Sequence, residues 1–281
     1  TNISLNPDVA TVLNVTQDHL DWHGDMKNYC ADKAKIFGST TLQVLNRDDA
    51  QVMAMQRPHS HFLSFSCTAP QHDAEFGLLH DQGMTWLAVA NADEDEQATS
   101  RKRKKEAVEM PLTITRLMPA DALKIRGQHN ASNALAALAL CRGIGLPLAP
   151  LLHALREYKG EPHRVELVTT IGGVDYFDDS KGTNVGATVA ALKGLGEEVG
   201  GASQKIILIA GGDGKGQDFS PLASPVSRYV KSVLLIGKDA AEIQSALNVT
   251  AVDMQLVDSL ENAVAKAGEI AQEGDIVLLS P

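Results

Sequence analysis

KIILIAGGDGKGQDFS, residues 205–220, is an almost unbroken apolar run that gives way abruptly to glycines. A run this short, apolar at every position and closed by Gly-Gly, reads as a strand buried on both faces. That is the state of a parallel strand covered by helices. The same unit then recurs down the chain. A helical pattern covers about 219–230, then come the strand SVLLIG, a helix near 239–246, the strand MQLVD, a helix over about 259–272 and the strand DIVLLS. Strict alternation of this kind predicts a doubly wound parallel sheet. Just upstream, HRVELVTTIGGVDYFDDS reads as two strands joined at Gly172-Gly173, a two-residue hairpin turn.

The earlier half is less regular. ATVLNV (10–15) and TLQVLN (41–46) read as strands, with a helix over roughly 26–37 between them. HFLSFS, AEFGLLH, MTWLAVA and MPLTITRL come next as short strand candidates without a helical pattern between them, which predicts a small antiparallel patch. The block NADEDEQATSRKRKKE (91–106) is acidic and then basic. It reads as a solvated hairpin loop with self-compensating charge, the alternative being a nucleic-acid or localisation patch. NASNALAALALCRGIG is a helix closed by Gly143, and APLLHALREYKG a second one ending at Gly160. The pattern changes there, so the expected domains are 1–159 and 160–281, both α/β. No internal repeat stands out.

Bulk composition narrows the function classes. A chain of 281 residues with 44% hydrophobic and 4% aromatic residues suits a soluble α/β protein. A net charge of −10 disfavours non-specific nucleic-acid binding, which needs an excess of Lys and Arg. The three cysteines (Cys30, Cys67, Cys141) are widely spaced and lack a CxxC pair, as in a reducing cytoplasm. No run reaches membrane-spanning length and no signal peptide opens the chain. A strand near each extreme end gives the expectation of a piece of a longer protein.

Four stretches carry candidate chemistry. DMKNYCADKAKIFG (25–38) reads as a helix with Asp25 as N-cap and Gly38 as terminator. Lys33 falls within its apolar stripe of Met26, Tyr29, Cys30, Ile36 and Phe37, while Lys27 and Lys35 point away. A lysine there is either a functional amine or one that snorkels from a partly buried face. NVTQDHLDWHGD comes after the first strand and offers Asp18, His19, Asp21 and His23, which suits a divalent cation or a hydrogen-bonded capping loop. DDSKGTN (178–184) opens a helix with carboxylates, Lys181 and hydroxyls, a mixture that holds anions or simply caps the helix through Thr183 or Asn184. The loop 211–217 resembles a phosphate loop but fails the Walker A pattern, since Lys215 is followed by Gly216.

Taken together, LNVTQDHLDWHGDMKNYCADKAKIF, GQHNASNALAALAL, GEPHRVE, DDSKGTN and GGDGKGQDFSPL resemble the Mur ligase family over almost the whole chain. The wording is most similar to the members that add D-glutamate. The resemblance implies an ATP- and Mg²⁺-dependent cytoplasmic ligase joining D-glutamate to UDP-N-acetylmuramoyl-L-alanine in peptidoglycan synthesis, without nucleic acid or membrane insertion. It further implies that residues 1–159 are part of a central ATPase-like domain and residues 160–281 a C-terminal Rossmann-like one. The family's first domain, its phosphate loop and its last segment are expected to lie outside this sequence, leaving the chain alone inactive.

By the same resemblance, Lys33 matches a carbamylated lysine and His19 a metal ligand beside it. Asn133 matches a base contact, and Arg164 and Asp179 match ATP contacts. Lys181, Thr183 and Lys215 match residues around D-glutamate and the reacting carboxylate. Gly182 departs from the family, which commonly has alanine there. A sister amide ligase, including the folylpolyglutamate type, and a non-catalytic α/β binding module are the alternatives.

Overall fold

The computed structural model describes residues 6–18, 20–92, 112–125, 127–198, 205–214 and 216–281. The chain divides into two compact units, Thr1–Val15 with Trp22–Tyr158 and Thr16–Asp21 with Lys159–Pro281. Among the described residues no helix is long and apolar enough to cross a membrane.

The first unit is built on one six-stranded sheet in the order β1 (Val9–Val12), β2 (Leu42–Asn46), β3 (Phe62–Phe65), β4 (Glu75–Asp81), β5 (Met84–Ala92) and β6 (Leu112–Pro119). Strands β1 to β4 are parallel, and only the pairs β4–β5 and β5–β6 are antiparallel. The expected antiparallel patch is thus corrected: HFLSFS and AEFGLLH pair in parallel, and the antiparallel strands extend the same sheet. The block 93–106 lies outside the described residues.

Two helices cover one face. Helix α4 (Gln128–Gly143) packs across β1–β4 through Ala131, Ala134, Leu135, Leu138 and Ala139, whose small side chains let it approach the sheet closely. Helix α5 (Leu148–Glu157) adds Leu148, Leu151, Leu152 and Leu155, the stripe expected of an amphipathic helix. Gly143 is the last residue of α4, as expected, and a Cβ there would lie 3.0 Å from Val9. The left-handed residue that turns the chain away is Gly145 (φ +85).

The opposite face receives Val12, Leu45 and Val52, the last from the short helix α3 (Ala50–Met53), with Ile36 and Phe37 packed on them. Those two residues come after α2 (Met26–Ala34), itself preceded by a single turn, α1 (Leu20–His23). The Asp25 carboxylate accepts the Asn28 amide at 2.7 Å, the expected N-cap. The helical hydrogen bonding stops at Ala34, short of Phe37, and the amides of Lys35, Ile36 and Phe37 reach back only three residues. Gly38 is not left-handed and terminates nothing.

The second unit holds a six-stranded sheet in the order β11-β10-β9-β12-β8-β7. Its chain order is β7 (Glu166–Ile171), β8 (Val174–Asp178), α6 (Val185–Glu198), β9 (Ile206–Gly211), α7 (Ala223–Tyr229), β10 (Val230–Ile236), α8 (Ala240–Leu247), β11 (Asp253–Leu256), α9 (Leu260–Ile270) and β12 (Ile276–Leu279). All pairs are parallel except the β7–β8 hairpin, whose turn residues Gly172 (φ +59) and Gly173 (φ +77) take the left-handed conformation that a two-residue turn demands.

Alternation along β9 assigns the layers. Ile206, Leu208 and Ala210 face α6, α7 and α8, whereas Ile207 and Ile209 face α9. Right-handed crossovers dictate the split. The steps β8→β9→β10→β11 all run one way across the sheet and place their helices on one face. The return from β11 to β12 runs the other way and places α9 on the opposite face.

Candidate functional site

Inserting β12 between β9 and β8 brings three strand ends together, and a cavity of about 230 Å³ opens there within the second unit. This is the crevice at the carboxyl ends of the strands where open parallel sheets bind ligands. Its polar wall is made by Thr183, Asn184, Thr188, the loop Gly211–Gly214, Gln217 and Ser280; Phe219, Leu222 and Ile243 form its apolar floor. Pockets for drug-sized ligands run roughly 300–1,000 Å³, so this one suits a solute about the size of an amino acid.

Local chemistry fixes each wall. Asn184 is the N-cap of α6, its Oδ1 accepting the Ala187 amide at 2.9 Å. Gln217 satisfies a second free amide, accepting from Val185 at 3.0 Å. Across the cavity, Gly211 (φ +139) passes so close to β10 that a Cβ would sit 1.8 Å from the Ile236 carbonyl oxygen. Buried Asp239 then holds the glycine loop, its Oδ2 accepting the Gly214 amide at 2.6 Å while its own amide bonds the Gly212 carbonyl at 3.1 Å.

Asp179 anchors the third side. It is 5% exposed, and its Oδ1 accepts the Val165 amide at 3.2 Å. Its Oδ2 lies 3.0 Å from Ser280 Oγ, which is 3.0 Å from Thr188 Oγ1. An ionised carboxylate only accepts, so the Ser280 hydroxyl donates to it and the Thr188 hydroxyl donates to Ser280. Burial pushes the Asp179 carboxyl above the usual range, against the pull of Ser280, the Val165 amide and the Arg164 charge.

The neighbouring groups are more open. Arg164, Lys181 and Thr183 are exposed, and the Lys181 amide donates to the His163 carbonyl at 3.0 Å. His163 Nδ1 lies 2.7 Å from Asp178 Oδ2. That contact raises the imidazole pKa; for Asp178 burial is the largest single influence and pushes upward, but the His163 and Ser180 hydrogen bonds together hold its carboxyl low. Donor atoms of His163, Glu166 and Asp178 lie within 4.8 Å of one another, yet they already serve each other and the His163 and Ser180 amides. The second unit therefore brings together Arg164, Asp179, Lys181 and Thr183, while Lys215 lies outside the described residues.

In the first unit, Lys33 is half-buried where Lys27 and Lys35 are exposed, and its Nζ stands 4.6 Å from the centroid of buried Tyr29. The His23 ring packs on that tyrosine at 5.0 Å and bonds Asp32 Oδ2 at 3.0 Å. His19 lies outside the described residues. Asn133 is exposed on α4, 3.4 Å from Asn130 Oδ1, and beside it burial lowers the pKa of His129. Sequence reasoning missed His163, Asp178, Gln217, Asp239 and Ser280. The first two sit in GEPHRVE and DDSKGTN and Gln217 in the 211–217 loop; Asp239 and Ser280 carry no local signal.

A doubly wound C-terminal unit with a cavity at the return strand, joined in sequence to a mainly parallel α/β unit, defines an α/β protein of two compact units. Sequence profiles agree: "Mur ligase middle domain" matches residues 1–141 and "Mur ligase, glutamate ligase domain" residues 163–281. The chain belongs to the Mur ligase family.

Among its relatives is a UDP-N-acetylmuramoylalanine–D-glutamate ligase from Paraburkholderia xenovorans, 55% identical over 99% of this chain and 55% of its own length. Another, with the same name, from Ralstonia nicotianae is 54% identical over all of this chain and 56% of its own length. The chain thus spans little more than half of these relatives. Solved structures share the fold: MurF from Acinetobacter baumannii (TM-score 0.67, 16% identity, 98% of this chain and 56% of that one) and Escherichia coli FolC in complex with DHPP and ADP (TM-score 0.66, 16%, 99% and 59%).

Proposed function

We propose that this chain is the central and C-terminal part, divided near residue 160, of a cytoplasmic ligase that joins D-glutamate to UDP-N-acetylmuramoyl-L-alanine in peptidoglycan synthesis. The observation that carries the reading is the amino-acid-sized cavity bordered by Thr183 and the 211–214 loop, in a chain 55% identical to relatives named for that reaction.

ATP supplies the phosphoryl group that activates the acceptor carboxylate, with ADP leaving. The amine of D-glutamate then attacks the carbonyl carbon, phosphate departs and an amide forms. In this scheme the cavity seats D-glutamate, and Lys181, Thr183 and Lys215 gather on its carboxylates and on the reacting centre. Arg164 and Asp179 serve the nucleotide from the C-terminal unit, and Asn133 serves its base. Cations suit the task, because negative groups converge as charge develops on oxygen.

Mg²⁺ takes oxygen ligands, and the Lys33 ammonium over the Tyr29 ring is not one. Lys33 fits a metal site beside His19 only as a carbamate, which would turn the ammonium into an anionic oxygen ligand. The 281 residues contain no Walker A loop, and the chain alone is expected not to turn over.

The test compares D-glutamate with L-lysine, meso-diaminopimelate and L-alanine in phosphate release by the full-length parent protein, with ATP and UDP-N-acetylmuramoyl-L-alanine present. Preference for any of the other three assigns the chain to a sister ligase. No turnover with any of them favours a binding module.

A further inference from the structure

Arg164 lies between two residues in the left-handed region, His163 (φ +64) and Val165 (φ +49). Such angles are uncommon outside glycine and rarer still for a β-branched side chain, so surrounding contacts must hold them. Both flanks are held from one place. His163 Nδ1 bonds Asp178 Oδ2 at 2.7 Å, and the Val165 amide bonds Asp179 Oδ1 at 3.2 Å. Further contacts close the loop: the His163 amide donates to Glu166 Oε2 at 2.8 Å, and its carbonyl accepts the Lys181 amide at 3.0 Å.

Each carboxylate is itself anchored, Asp178 by the Ser180 amide at 2.8 Å and Asp179 by Ser280. Consecutive carboxylates at the end of β8 therefore grip the residues before and after Arg164. The arginine side chain is exposed and makes no ion pair among the described residues.

We propose that Asp178 and His163 are positioning residues that staple the strained loop and thereby aim the Arg164 guanidinium at an anionic group of the nucleotide. The proposal rests on the reading that Arg164 contacts ATP. Neither residue needs to touch the ligand. Their part is to remove the cost of ordering the loop at the moment of binding, the usual gain from preorganisation. Arginine repays that placement because its planar fork pairs with phosphate oxygens in a fixed direction.

Two measurements test this. In the full-length ligase, Asp178→Ala should raise the KM for ATP about tenfold, the scale of losing one charge-assisted hydrogen bond, with the KM for the amino acid within about twofold. Asp178→Asn keeps an acceptor facing His163 and should restore most of the loss. An unchanged ATP KM in Asp178→Ala, or equal losses in both variants together with lowered thermal stability, overturns the positioning role.

The second measurement uses the 281-residue chain without nucleotide. Asp178→Ala should lower the midpoint of the His163 imidazole NMR titration and speed exchange of the His163 and Val165 amides, which donate to Glu166 and Asp179. No change in either shows that the staple does not exist, whatever the ligase does. A parent protein that shows the staple but does not use ATP instead overturns the functional reading, and with it the nucleotide half of the proposal.

Discussion

Removing the Ser280 hydroxyl should destabilise the second unit by about 2 kcal/mol, and by less as pH falls. Ser280, Thr188 and Asp179 are 1%, 4% and 5% exposed. Ser280→Ala takes a donor from the Asp179 carboxylate and an acceptor from the Thr188 hydroxyl, the two contacts of 3.0 Å. A hydrogen bond to a charged group contributes about 1.5–3 kcal/mol and a neutral one about 0.5–1.5. Ser280 and Thr188 border the cavity, so a water can enter and recover part of that sum.

The pH dependence has a definite sign. The folded Asp179 carboxyl is raised by burial, so its ionisation costs stability that returns as pH falls through the folded value. Loss of the Ser280 donor raises it further. The deficit of Ser280→Ala should therefore be larger at pH 7 than at pH 5. The assay is urea unfolding monitored by two probes. Trp22 and Trp86 both belong to the first unit, so fluorescence reports that unit while circular dichroism sees both. A loss under about 0.5 kcal/mol, the range of ordinary surface substitutions, or one identical at the two pH values, would refute the buried hydroxyl chain.

Gly211→Ala should cost several kcal/mol and abolish the second-unit transition by circular dichroism, because the added Cβ meets the Ile236 carbonyl at 1.8 Å on a backbone at φ +139. Leu135→Ala, at a fully buried position of α4, should lower first-unit stability by about 2–5 kcal/mol, read in the fluorescence transition. The His163 contribution should be fully present below the free-histidine value and disappear as pH rises through its raised folded value. It faces Asp178 and Glu166, and comparison of unfolding in wild type and His163→Ala across pH 5–8 reads the effect.

How far the sequence could be read depended on the range of the interaction. The layers of the second unit could be inferred from β9 alone, because a strand apolar at every position must be covered on both faces. The Gly-Gly turn and the Asp25 cap were equally local. The pairing of β3 with β4 was not. Parallel neighbours usually need a crossover helix, but here the segment 66–74 returns without one, and only Ser64↔Glu75 and Phe65↔Phe76 pair. Helix α2 ended early for a tertiary reason: Ile36 and Phe37 leave the helical path to pack on Val12 and Leu45.

The candidate site divides the same way. That Arg164, Asp179, Lys181 and Thr183 lie near one another follows from compact motifs, while their roles come from the family resemblance. The His163–Asp178 contact depends on the hairpin register Glu166↔Asp178, and then on two left-handed residues that no periodicity announces.

The charge around the cavity limits how an acidic amino acid could be held. Among the described residues that line it, no side chain is cationic and Asp213 is acidic. Shape and backbone amides can select size and hand, but they supply little attraction for a dianion against the −10 background of the whole chain. On the proposed reading the attraction would come from cations beyond the lining, such as exposed Lys181, while exposed Lys238 already pairs with Asp213 at 3.5 Å. A cation in solvent is screened, with a Debye length near about 10 Å at 0.1 M salt, so it contributes fully only when the ligand reaches it and water is excluded. On that reading the walls would determine which amino acid fits, and Lys181 would contribute to how tightly it is held. An exposed Lys181 also avoids the desolvation cost of burying an unpaired charge when the cavity is empty.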